Sequence, residues 1–256
     1  IEKPNGEDAP LECLRDQLVE KVRVVQQLSP LALRRRTSGG FALDDDSSDS
    51  PAGRPGPTAI KRTPSKVIVI GASTGGPRAL LTLFRHLHED LDAALVVAQH
   101  MPPRFTRTFA QRIDRNSLAR VSEAKTFERL ARGHAYVCPG GQCIEIVPSD
   151  RGPAIRVVQP DADTRYVPSV DQLFRSAARV LGDKAIAVVL TGMGDDGARG
   201  VKDIAAKGGM VLLEAPETAV VSGMPAAAQR TGVPHQSLGI WALGDMLATL
   251  TRPGQR

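Results

Sequence analysis

Four uninterrupted apolar runs limit what this chain can become more than any other feature: Val67-Ile68-Val69-Ile70, Ala94-Leu95-Val96-Val97-Ala98, Ala185-Ile186-Ala187-Val188-Val189-Leu190 and Met210-Val211-Leu212-Leu213. Each is short for a core helix and lacks polar alternation, so each suits a strand covered on both faces, as strands are inside a parallel sheet. Parallel neighbours need crossovers, and helical patterns lie between the runs at residues 77–88, 103–115, 169–181 and 197–207. The expected fold is a doubly wound, mainly parallel α/β sheet, Rossmann-like in architecture. Between the second and third runs, residues 135–137, 144–147 and 155–158 are short strand patterns separated by Pro139-Gly140-Gly141 and Asp150-Arg151-Gly152-Pro153. They read as antiparallel hairpins beside the main sheet.

The first 64 residues obey different rules. Leu11, Leu14, Leu18, Val22 and Val25 recur at helical spacing with charges opposite, so residues 11–28 read as one amphipathic helix. Residues 29–64 hold Arg34-Arg35-Arg36, Asp44-Asp45-Asp46 and clusters of Ser, Gly and Pro, too little apolar surface to offset chain entropy, which is the composition of a linker. Residues 65–256 then read as one folded domain. Of 33 basic and 28 acidic residues, ten of each sign fall in residues 1–64, leaving 23 basic against 18 acidic in the domain. That excess suits long-range steering of an acidic partner but is too weak for nucleic acid, since aromatics are only 4% of the chain. Without an apolar run long enough to span a bilayer, no membrane insertion is expected, and the first residues lack the order of a secretory signal. A cytoplasmic location follows as the expectation. The cysteines Cys13, Cys138 and Cys143 are odd in number and scattered, which fits neither a disulfide framework nor a zinc site.

The most informative stretch is Val67-Ile68-Val69-Ile70-Gly71-Ala72-Ser73-Thr74-Gly75-Gly76-Pro77, a buried strand entering a helix through a glycine-rich turn. Gly71 to Gly75 fits G-x-S-x-G, in which glycines let the chain turn sharply and lift a serine hydroxyl at the strand's carboxyl end. A phosphate cradle is the competing reading, but the glycines do not match G-x-G-x-x-G and no phosphate-loop lysine follows. A serine nucleophile needs a base within hydrogen-bond reach. His100 ends the next apolar run, in Leu95-Val96-Val97-Ala98-Gln99-His100-Met101-Pro102-Pro103, where ligand sites of open α/β sheets cluster. After the third run comes Thr191-Gly192-Met193-Gly194-Asp195-Asp196-Gly197, a loop able to supply an orienting acid and an oxyanion donor together. On local pattern either aspartate equally suits capping the following helix, a magnesium ligand is a further reading, and spacing does not choose between the two.

Together, Gly71-Ala72-Ser73-Thr74-Gly75-Gly76, Gln99-His100-Met101-Pro102, Pro168-Ser169-Val170-Asp171, Thr191-Gly192-Met193-Gly194-Asp195-Asp196-Gly197 and Gly223-Met224-Pro225 resemble the signature blocks of the protein-glutamate methylesterase family, often called CheB. The resemblance covers about residues 65 to 250. It implies a triad of Ser73, His100 and Asp196, a backbone oxyanion donor at Met193, and a supporting hydroxyl at Thr74. It further implies hydrolysis of glutamyl methyl esters, and deamidation of glutamines, on methyl-accepting chemotaxis receptors, with no cofactor and no metal. Ile1-Glu2-Lys3-Pro4 and the 11–28 helix resemble the end of a phospho-receiver domain. Residues 1–28 would then be the remnant of a receiver phosphorylated by the chemotaxis histidine kinase, with Lys3 as its phosphate-sensing lysine. Cys138 and Cys143 depart from the family pattern, where alanine and often histidine are expected.

In residues 103–115, Phe105, Phe109 and Ile113 form an apolar stripe while Arg104, Arg107, Arg112 and Arg115 lie mostly off it. The expectation is a basic helix beside His100, suited to acidic receptor helices or simply to solvent.

Overall fold

The computed structural model describes residues 62–254. The receiver remnant at 1–28 and the linker up to residue 61 lie outside the described residues. Residues 62–64, expected as the linker's end, rest on the domain: Arg132 N donates to Arg62 O (3.1 Å), Arg129 Nη2 donates to Thr63 Oγ1 (3.0 Å), and Pro64 is buried.

The apolar runs become strands β1 (Lys66–Ala72), β2 (Ala93–Gln99), β7 (Ala185–Val189) and β8 (Met210–Glu214). With β3 (Arg120–Glu123), β4 (His134–Val137) and β9 (Gln236–Leu238) they make a seven-stranded sheet in the order β3-β4-β2-β1-β7-β8-β9, parallel throughout. Helices cover both faces: α1 (Gly76–Phe84), α2 (Pro103–Arg115), α3 (Val170–Leu181), α4 (Ala198–Ala206), α5 (Gly223–Gln229) and α6 (Ile240–Leu250).

Successive side chains of a strand point to opposite faces, and β1 fills both. Val67 and Val69 join Leu173, Phe174, Val201, Ile204 and Met224 from α3, α4 and α5. Ile68 and Ile70 join Leu80, Leu83, Phe84, Phe109, Ile113, Leu243 and Leu247 from α1, α2 and α6. This two-sided burial is why the runs carry no polar alternation. From β1 the chain moves first to β2 and β4 on one side, then returns to β7 on the other. A crevice therefore opens at the carboxyl end of β1, the topological switch point.

Residues 135–137 correct the hairpin expectation. They lie in β4, parallel to both β2 and β3, and only β5 (Cys143–Val147) and β6 (Ala154–Val158) pair as an antiparallel hairpin. The crossover from β3 to β4 contains no helix. Its backbone bonds to neighbouring segments, as Phe127 N does to Ile155 O (2.8 Å) and Leu130 N to Pro153 O (2.9 Å), and to the buried Tyr136 hydroxyl, which donates to Arg129 O (3.0 Å) and accepts from Ala131 N (3.1 Å). The Pro139-Gly140-Gly141 turn is also no hairpin turn: it packs so closely on the loop after β2 that a Cβ on Gly140 would lie 2.5 Å from Met101 O. Helix α1 stops at Phe84 rather than 88, because the chain turns to tuck Leu87 and Leu91 into the core.

Candidate active site

Ser73 and His100 leave the sheet side by side, because the β1–β2 register pairs Ala72 with Gln99. The serine turn is pinned from three directions: Ser73 N donates to Thr191 O (3.0 Å), Gly76 N donates to Ser73 O (2.8 Å), and His100 N donates to Ala72 O (3.0 Å). Gly75 closes the turn at φ 83°, a left-handed value that favours glycine. Gln99, buried between the turns, donates its Nε2 to both Ser73 O and His100 O at 3.0 Å. Gly76 leaves room for it, since a Cβ there would collide with Gln99 Oε1 and lie 2.8 Å from Ala72 Cβ.

Asp196 is 2% exposed and gathers three donors. His100 Nε2 lies 2.8 Å from its Oδ2, Val170 N donates to the same oxygen (2.8 Å), and Asp171 N donates to Oδ1 (2.9 Å). Neither aspartate of the 191–197 loop caps the following helix with its side chain, as local pattern allowed. Gly197 starts α4, and Asp171 from α3 caps it: Oδ1 accepts from Gly197 N (3.0 Å) and Gly200 N (2.8 Å), and Oδ2 accepts from Arg199 Nε (2.9 Å). Asp196 thus caps α3 and Asp171 caps α4, a reciprocal pair that locks two helix starts around the imidazole. With Nε2 donating its proton to Asp196, Nδ1 carries the lone pair that a base uses. No hydrogen bond joins the imidazole to the Ser73 hydroxyl in this structure, a contact that tightens with substrate in sites of this kind.

A family model described as CheB methylesterase matches residues 68–247. The chain belongs to the CheB methylesterase family. Among its relatives is protein-glutamate methylesterase/protein-glutamine glutaminase 6 of Anaeromyxobacter dehalogenans, 41% identical over 243 residues, which cover 93% of this chain and 65% of that protein. Protein-glutamate methylesterase/protein-glutamine glutaminase 1 of Myxococcus xanthus is 38% identical over 244 residues, covering 94% and 66%. The chain thus spans just under two thirds of the length of these relatives. The crystal structure of the Thermotoga maritima CheB methylesterase catalytic domain superposes with a TM-score of 0.70 at 35% identity, over 73% of this chain and 98% of that one.

In this CheB-family domain the loop bearing Met193 abuts the serine: a Cβ on Gly192 would lie 2.9 Å from Ser73 Cβ and 2.2 Å from Met224 Sδ. The Gly223-Met224-Pro225 block supports that loop from below, with Met224 N donating to Gly192 O (2.8 Å). Met193 N donates to no backbone carbonyl among the described residues. Thr74 is exposed on the serine turn; its carbonyl accepts from Thr191 Oγ1 (2.9 Å), and its hydroxyl makes no bond to His100.

Sequence patterns missed three groups. Tyr166 stacks on His100 with ring centroids 5.4 Å apart at 4° and donates its hydroxyl to Asp195 Oδ1 (2.9 Å). Burial, and then the Asp195 carboxylate, push its phenol above the usual tyrosine range, so it remains a donor. Glu214 is buried behind Thr191, whose carbonyl holds the serine turn, accepting from Thr191 N (2.8 Å) and Thr218 Oγ1 (3.1 Å), and burial raises its carboxyl. Asp171 is the third: it lay within a quoted block without a role. Cys138 and Cys143 are buried free thiols, both raised chiefly by burial, which makes them poor nucleophiles. Among the described residues no group of three His, Cys, Asp or Glu is placed to hold a metal ion, and no helix is long and apolar enough to cross a membrane.

Helix α2 spans the expected residues, but only Phe109 and Ile113 of the apolar stripe are buried; Phe105 is 47% exposed on the first turn. Arg104 and Arg107 are exposed beside it.

Proposed function

We propose that this chain hydrolyses γ-methyl esters of glutamates, and deamidates glutamines, on methyl-accepting chemotaxis receptors, with Ser73 as nucleophile, His100 as base and Asp196 as the group that orients the base. The observation that carries this reading is the 2.8 Å contact of His100 Nε2 with a buried Asp196, at a strand end adjacent to Ser73. Ser73 Oγ attacks the side-chain carbonyl while His100 Nδ1 takes its proton. The oxyanion forms against the 192–194 loop, where the Met193 N–H is the donor. Collapse of the intermediate returns the proton to departing methanol or ammonia, and water repeats the cycle on the acyl-enzyme. Loss of one oxyanion donor costs roughly 100- to 1,000-fold in turnover, so the shape of this loop matters nearly as much as the triad. The chemistry calls for no metal or organic cofactor.

Residues 1–28, outside the described residues, we read as the end of a receiver whose phosphorylation by the chemotaxis histidine kinase controls the esterase, and the residues from 29 up to Arg62, which already rests on the domain, as the tether. The site of action is then the cytoplasmic face of receptor clusters. Methanol release from methylated receptor membranes tests the activity: wild-type chain releases methanol, and Ser73→Ala releases none above background. A fluorophosphonate probe adds the chemistry, labelling wild type but neither Ser73→Ala nor His100→Gln. Methanol release that does not depend on Ser73, or no release at all, overturns the assignment. A chain that ignores the probe is a binding module rather than a hydrolase.

A further inference from the structure

Asp196 grips the imidazole at a single nitrogen. One hydrogen bond fixes Nε2 but does not by itself set the tilt of the ring plane about the Nε2···Oδ2 line, and Nδ1, which lies off that line, shifts as the ring tilts. A base that must meet a serine hydroxyl needs a second restraint. The ring of Tyr166 lies parallel to the imidazole at 4° and closes one of its faces. The phenol is anchored in turn: its hydroxyl donates to Asp195 Oδ1 (2.9 Å), and Arg165 Nη1 reaches the same oxygen at 3.4 Å while its guanidinium lies 4.9 Å over the Tyr166 ring. Gly194 makes room for this anchor. It sits at φ 93°, and a Cβ there would stand 2.5 Å from the Tyr166 hydroxyl.

We propose that Tyr166 is a positioning residue for His100, and that Asp195 acts by tethering Tyr166, so that the two adjacent aspartates of the 191–197 loop hold the imidazole at its edge and at its face. The π face also lies beside the ring when it becomes an imidazolium, a favourable placement for the transient charge. The inference rests on His100 being the base, so the controls separate the two: a fully active Ser73→Ala would sink the hydrolase reading, whereas an inert Ser73→Ala beside a fully active Tyr166→Ala sinks only this one.

The test uses methanol release from methylated receptor membranes, with kcat and KM measured separately. In Tyr166→Ala, kcat falls about ten- to a hundredfold while KM stays within about twofold, because the substrate is still bound and the base is misaligned. Tyr166→Phe, which keeps the stack and loses the tether, falls by a smaller factor. Asp195→Ala falls by the same factor as Tyr166→Phe, and the double variant is no worse than either single one, since all three lose the same Tyr166–Asp195 hydrogen bond and the Arg165–Asp195 pair, also lost without Asp195, is exposed and contributes little. Side-chain NMR gives an independent readout: His100 stays protonated at Nε2 in both proteins, held there by Asp196, while its ring resonances are sharp in wild type and broadened by ring motion in Tyr166→Ala. Wild-type kcat in Tyr166→Ala, or additive losses in the Tyr166→Phe and Asp195→Ala cycle, overturns the proposal. If Tyr166→Ala does not fold, the cycle alone decides.

Discussion

Replacing Asp171 by alanine removes an acceptor that two buried backbone donors share. Gly197 N and Gly200 N both reach Asp171 Oδ1, at 3.0 and 2.8 Å. A buried donor left without a partner costs about 1–3 kcal/mol, so two set a ceiling near 6, and partial hydration of the newly opened space brings the expected loss to about 3 kcal/mol. The bond to Arg199 adds little, because that side chain is 79% exposed and an exposed pair contributes under about 1 kcal/mol. Against a typical domain stability of about 5–15 kcal/mol the protein still folds, and the effect moves to the site. Gly197 follows Asp196 directly, so freeing its N–H lets the Asp196 carboxylate shift; about 1 Å of displacement costs on the order of a hundredfold in turnover. Asp171→Asn keeps Oδ1 as an acceptor for the two buried N–H groups and loses the charge and the exposed Arg199 bond, so it should stay within about 1 kcal/mol of wild type and retain most activity. Urea unfolding at neutral pH gives the stabilities, and methanol release gives kcat. An alanine variant as stable as wild type, or an asparagine variant as damaged as alanine, would refute the reciprocal cap and leave the Arg199 pair as the reason for Asp171.

The raised carboxyl of Glu214 contributes to folding fully below its unfolded value of about 4.3 and loses that contribution as pH rises through the folded value, so Glu214→Gln should gain stability over wild type between about pH 4 and 8. Urea midpoints at the two ends of that range measure the gain; an equal difference at both would rule out burial of the charge as the cause. Gly76→Ala should displace Gln99 and forfeit its two Nε2 bonds, about 1 kcal/mol each, with a fall in kcat, and the Gly76→Ala/Gln99→Ala double variant should unfold at a lower urea concentration than Gln99→Ala alone, because the new Cβ still meets Ala72 Cβ at 2.8 Å, but by less than the two single losses added together. Charge reversal at Arg104 and Arg107 should raise KM for receptor membranes several-fold at low salt and hardly at all near 0.5 M, a roughly 4 Å screening length; unchanged KM at low salt removes the docking role of α2.

The sheet was legible because its central strands are buried on both faces, which leaves Val67 to Ile70 and Ala94 to Ala98 no polar position to confuse the period. The margins were less so. β3 and β9, Arg-Val-Ser-Glu and Gln-Ser-Leu, are edge strands with exposed polar residues, and β4 is only four residues long beside a turn that resembles a hairpin's. At the site, Ser73 and His100 each announce themselves by ending an apolar run. The choice between Asp195 and Asp196 did not, since the contacts that separate them come from α3, some 25 residues away in the chain, and from Tyr166, 29 residues before Asp195. Partnerships that form only when two loops meet in space leave no periodic trace.

Ser73 stands directly after β1, the strand paired along nearly its whole length with β2 on one side and β7 on the other. The amides of such a strand are expected to exchange with solvent only when the whole domain opens, so Ser73, the proposed nucleophile, follows directly on a strand of the most protected kind. Switching this site off by bending it would therefore demand a free energy comparable to unfolding. On the proposed reading, blocking access to the crevice is then a far cheaper control than distorting its floor.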